Sequence, residues 1–150
     1  MKNDFQSKKV AAVFEKTPPA IRKRLLVLRK LIFDMASKTS GVGPLEETLK
    51  WESPSYLTSE TQSGTTIRID RVASRKDTYG IFVHCQSNVV MEFKQKVKTP
   101  MTFDSTRGII LDAKDDIPEE VSYFIYLALT YHLRKKKGSV KDIWNRGWAC

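Results

Sequence analysis

The two most reactive side chains of this sequence stand next to each other, His84 and Cys85 in "FVHCQ". A cysteine and a histidine can serve as nucleophile and base when their side chains come within hydrogen-bond reach. "TYGIFVHC" reads as a strand, however, and neighbours in a strand point to opposite faces. The pair therefore cannot easily act together. The remaining histidine, His132, is far along the chain, so a meeting of Cys85 or His84 with it depends on the fold. Each also has a plainer reading, as a small buried thiol and a hydrogen-bonded imidazole. No nucleophile elbow, phosphate loop or zinc spacing accompanies them. The chain is expected not to be an enzyme, with a Cys/His-dependent enzyme kept as an alternative. Cys85 and Cys150 are its only cysteines, too few for a disulfide framework, and both are read as free thiols.

A second group is acidic. "LDAKDDIPEE" holds Asp112, Asp115, Asp116, Glu119 and Glu120. Carboxylates at this density, with Asp112, Asp115 and Asp116 as the core set, could hold a hard cation such as iron. They also suit a simpler task. Asp116 can cap the following helix, Glu119 fits a capping box, and acids complement a helix N-terminus. Capping is the reading preferred here, so no cofactor is expected, with iron as the exception to test.

A third group is aromatic. "EETLKWESPSYL" brings Trp51, Pro54 and Tyr56 within six residues. Pro54 holds Ser53 extended. A Trp and a Tyr each join an apolar body to a polar tip. They either close a corner of the core or wall a pocket, to which Glu47 and Tyr56 would add polar groups. Arg107, at the start of "RGIILD", supplies a planar guanidinium suited to carboxylate or phosphate. Arg68, Arg71 and Arg75 lie on or near the preceding hairpin, where arginines commonly only solubilise.

The elements that must position these groups follow from periodicity. The 150 residues fit one domain, 1–150, with an ordinary 41% hydrophobic and 29% charged content. Residues 3–15 read as a short helix with Val10, Val13 and Phe14 as its stripe. Thr17 is placed to cap a second helix with Pro18 at its first position, running to Ser37. "SGVGP" breaks it, and Glu46–Leu49 reads as a helical turn. "TTIRIDRV" alternates as a half-buried strand, and "TYGIFVHC" is apolar on both faces as a central strand. Ser87 is placed to cap a helix through "NVVMEFKQKV". "MTFD" and "RGIILD" read as a hairpin. A last helix spans Pro118 to Lys136, ended by Gly138. A tail, 138–150, carries Trp144 and Trp148. Strands joined by short turns, with helices before, between and after, imply an α+β domain with an antiparallel sheet.

At this point "LEETLKWESPSYL", "GTTIRID", "YGIFVHCQSNVV", "FDSTRGIIL" and "ALTYHLRKK" are similar, in this order, to segments of the YdhG-like family, a domain of unknown function. The resemblance covers about residues 20–137. It implies a curved antiparallel sheet of about five strands with helices packed on one face. Some members of the family have been linked to a frataxin-like iron-chaperone role. Glu52 departs from the family, which usually has glycine after the Trp.

The net charge is +9 and the isoelectric point about 9.6. That balance favours polyanions. The basic runs, "RKR", "RK", "KQKVK" and "RKKK", fall on polar helix faces and helix ends, so nucleic-acid binding through them is only an alternative. No apolar run approaches the roughly 20 residues that cross a bilayer. The N-terminus has no apolar signal region, and a cytoplasmic protein is expected. The leading expectation is a non-catalytic module binding a small molecule or a protein partner. Its cleft would lie between the sheet and the last helix, rimmed by Trp51, Tyr56, His84, Arg107, Tyr131 and His132. The oligomeric state is left open, a homodimer included.

Overall fold

The computed structural model describes residues 4–135. Helix α1 covers Lys8–Lys16, and the Ser7 hydroxyl oxygen accepts from the Lys9 and Val10 amides at its start. That contact satisfies donors a helix leaves unpaired. Helix α2 covers Pro19–Ser37 and opens on proline, whose missing N–H costs nothing there. Ile21, Leu25, Leu28, Ile32 and Ala36 recur at helical spacing and are buried. Thr17 does not cap α2. Its hydroxyl instead donates to the Val13 carbonyl at 2.8 Å, closing α1.

The strands are β1 Glu46–Lys50, β2 Ser53–Leu57, β3 Ile67–Arg71, β4 Thr78–Phe82, β5 Thr102–Asp104 and β6 Gly108–Asp112. Helix α3, Val89–Lys96, separates β4 from β5, with Asn88 rather than Ser87 at its N-cap position. Helices α4, Glu120–Leu129, and α5, Tyr131–Lys135, follow β6. The sheet runs β1-β2-β3-β4-β6-β5 with every pair antiparallel. It has six strands where about five are expected. The addition is β1, where a helical turn was expected. Glu, Leu and Lys favour helix, but pairing of Glu46–Lys50 with Leu57–Ser53 decides the conformation.

Alternation sets the faces of the sheet. Tyr56, Ile67, Ile69, Tyr79, Ile81 and Ile109 are buried on the helix side. Val121, Phe124, Ile125 and Ala128 of α4 and the stripe of α2 complete that core. Phe124 meets Phe93 of α3 edge-on at 5.6 Å. Among the described residues, no helix packs on the other face.

The last helix breaks at Thr130, where an unbroken one was expected. The loop before β3 explains it. Thr65 N donates to the Ala128 carbonyl and Ser63 Oγ to the Leu129 carbonyl, at 2.9 and 2.8 Å. The His132 amide in turn donates to Ser63 O. Acceptors that a continuous helix would use internally are thus taken by the loop. A Cβ on Gly64 would lie 2.3 Å from the Ala128 carbonyl oxygen, so only glycine fits this approach. The expected helix end at Lys136–Gly138, the tail with Trp144 and Trp148, and Cys150 lie outside the described residues. No helix among the described residues is long and apolar enough to cross a membrane.

Candidate functional site

The aromatic corner divides into two unrelated parts. Glu47 is on β1 and its side chain is wholly buried. Arg29 of α2 binds it in a fork, Nε to Oε2 at 2.5 Å and Nη2 to Oε1 at 3.1 Å. The Tyr56 hydroxyl donates to Oε2 at 2.9 Å and the Gln6 amide to Oε1 at 3.0 Å. The Arg29 guanidinium also lies 4.3 Å from the centre of the Phe5 ring and 5.0 Å from that of Phe33. Burial, then the Glu47 charge, push the Tyr56 phenol well above its usual range, so it stays a donor. Every group here is occupied by another part of the chain. The network clamps the N-terminal segment and α2 to the first hairpin.

Trp51 points away from all of this. Trp51 and Glu52 form the two-residue tip of the β1–β2 hairpin, and Trp51 is 88% exposed. Both have positive φ, 55° and 63°. That is the mark of a type I′ turn, which normally uses Asn and Gly. Pro54, next on β2, is buried. Trp51 therefore neither seals the core nor walls a cleft with Tyr56.

The histidine segment lies at the opposite end of the strands from the Trp51 tip, because β4 ends where β3 begins. The Val83–Asn88 loop is tied to the β5–β6 turn by Val83 N donating to Arg107 O and Thr106 Oγ1 donating to Cys85 O. It is tied to α5 by the Asn88 amide donating to the Tyr131 hydroxyl at 3.2 Å. His84 Nδ1 accepts from the Gln86 amide at 3.0 Å. Tyr131 is buried and meets the His132 ring edge-on at 5.2 Å. Cys85 is disulfide-bonded, against the expectation of a free thiol. A sulfur so bonded has no thiolate to attack with. The expected cleft between sheet and last helix is filled by core side chains instead.

The acidic set does not converge either. Asp112 Oδ1 accepts from the Lys114 amide at 2.9 Å. Asp116 is almost fully exposed, 3.4 Å from Arg24 Nη1. Glu119, not Asp116, occupies the N-cap position of α4, without a side-chain cap. Among the described residues, no three His, Cys, Asp or Glu side chains gather at metal-binding distance.

The uncovered face of the sheet holds a groove of about 480 Å³. Arg68 and Asp70 of β3, Phe82 of β4 and Ile110 of β6 line its floor. Arg71 and Arg75 stand at one end and Asp104 and Arg107 at the other. Four guanidinium groups thus face two carboxylates. Arg107 reaches Asp104 only at 3.4 Å. Asp70 is taken by the Ser53 hydroxyl and the Arg71 amide. Among the described residues Arg68, Arg71 and Arg75 make no ion pair. Burial lowers the Arg68 pKa, Asp70 opposes the shift and the charge of Arg107 adds to it. An anion between Arg68 and Arg107 would relieve both effects. Of the candidate site residues only Arg107 belongs to this groove; Arg68, Arg71 and Arg75, read in the sequence as solubilising, line it as well. Arg68 and Asp70 are legible as the outward positions of "IRID", opposite Ile67 and Ile69, whereas "YGIF" reads as apolar on both faces and does not single out Phe82.

These features define a small α+β domain with a six-stranded antiparallel sheet, helices on one face and an arginine-lined groove on the other. The same fold is seen in the crystal structure of YdhG, a protein from the DUF1801 family of Bacillus subtilis. The TM-score is 0.55, with 16% identity, over 85% of this chain and 94% of that one. The likeness shows the fold, and the YdhG-like fold is the one the sequence segments imply. No protein-family model and no curated protein matches the sequence.

Proposed function

We propose that this chain is a non-catalytic binding module that takes an anionic ligand on the uncovered face of its sheet. One observation carries the reading. Arg68 of β3 and Arg107 of the β5–β6 turn come onto one groove, where four guanidinium groups outnumber two carboxylates. Arginines that merely solubilise point apart into water. Here a half-buried guanidinium is held beside a second one, at an electrostatic cost that a bound carboxylate or phosphate would offset. The groove contains no nucleophile and base pair, which favours binding over turnover.

Thermal unfolding with pyrophosphate, citrate or chloride at matched ionic strength tests this. A ligand held only by the folded state raises the melting temperature. Pyrophosphate or citrate should do so, and Arg68→Ala and Arg107→Ala should each reduce the rise. No rise with either polyanion, or one unchanged in both variants, overturns the reading.

A further inference from the structure

The floor of the groove adds a shape to the charge. Phe82 lies on the uncovered face with glycine on both sides, Gly80 two residues back on β4 and Gly108 opposite it on β6. A Cβ built on Gly80 would stand 2.5 Å from Phe82 Cζ, and one on Gly108 2.7 Å from Cδ1. The ring thus occupies the space above both glycine backbones. It lies along the sheet instead of standing off it, and only residues without a side chain leave room for that. A ring lying flat turns a face outward, and that face is a platform for another planar group. Arg68, the cross-strand partner of Phe82 on β3, holds its guanidinium 5.7 Å from the ring centre, near the outer limit of contact. Arg107 adjoins Gly108 on the other side.

From this we infer that the anionic ligand is a nucleotide, its base stacked on Phe82 and its phosphate held by Arg68 and Arg107. The inference rests on the reading of this face as an anion site. Aromatic rings on open sheets stack bases, and a neighbouring guanidinium serves phosphate. The remaining polar groups suit the rest of such a ligand, since Asp104 can accept from ribose hydroxyls or base amino groups. A groove of about 480 Å³ also lies in the range that small-molecule sites span. The same chemistry could come from a free nucleotide or from one within single-stranded RNA.

Titration calorimetry with four probes separates these cases: pyrophosphate, adenosine, ADP and an eight-residue oligoadenylate. Pyrophosphate carries charge without a ring, and adenosine a ring without charge. ADP should bind at least about tenfold tighter than either, the gain expected of one stacked base. Phe82→Leu should bring ADP to the level of pyrophosphate while leaving pyrophosphate itself within about twofold, and Phe82→Tyr should keep the gain. Tighter binding of the oligonucleotide than of ADP assigns the source to a strand, and equal or weaker binding to free nucleotide. If ADP binds no tighter than pyrophosphate, the nucleotide inference fails and the anion site stands. If none of the four binds, both fail.

Discussion

Glu47 and Tyr79 are buried polar residues of opposite kinds. Glu47 has a partner for each oxygen, so its removal strands the Arg29 guanidinium and the Tyr56 hydroxyl together. Glu47→Ala should cost about 3–5 kcal/mol, read by urea unfolding, as breaking a buried pair does. Tyr79 is buried with its hydroxyl unpartnered among the described residues. Burial pushes that hydroxyl up to about 12, with Arg24 opposing and Asp112 and Asp115 adding. An unfolded tyrosine titrates near 10. Between roughly pH 10 and 12 the unfolded chain has released this proton while the folded chain keeps it. Stability therefore falls as pH rises through that window. Tyr79→Phe should be neutral or stabilising by up to about 1 kcal/mol at pH 7, and its advantage should grow above pH 10. A loss of more than about 1 kcal/mol at pH 7 would mean that the hydroxyl is satisfied after all. Neither role was legible in sequence. Glu47 looked like a helix residue near an aromatic cluster, and only strand pairing turns it toward Arg29.

Among the elements, the β1–β2 hairpin is the one whose local chemistry conflicts with its shape. Trp51 and Glu52 both hold left-handed backbone where glycine is at ease. Glu52→Gly should therefore stabilise the protein by about 0.5–1 kcal/mol, checked by thermal and urea unfolding. No change or a loss would show that the Glu52 side chain contributes there. The longer elements were readable because their periods are unmixed. Ile21, Leu25, Leu28 and Ile32 of α2 and the alternation of Ile67 and Ile69 stand in the sequence as they do in the fold. The break between α4 and α5 was not, because its cause lies in a loop more than sixty residues earlier, at Ser63 and Gly64. "EETLK" reads as helix in the sequence for a similar reason. Five residues of helix-favouring type carry less weight than a ladder with β2.

At the level of the whole molecule, the division of the sheet into a covered and an uncovered face creates the candidate site. The apolar members of each alternating strand announced the core. Among their outward neighbours, Arg68 reads as a solubilising arginine and Phe82 as part of a strand apolar on both faces, and register alone aligns Arg68 with Phe82 and Phe82 with Gly108. Those outward neighbours are also what a direct test should observe. Backbone and arginine side-chain NH signals can be followed by two-dimensional NMR during titration with pyrophosphate at fixed ionic strength. Binding on the uncovered face predicts saturable shifts concentrated at Arg68–Arg71, Gly80–Phe82 and Arg107–Gly108, with the Arg68 and Arg107 Nε–H signals among the largest. Shifts confined to the basic face of α2, or small non-saturating changes spread over all lysines and arginines, would contradict it.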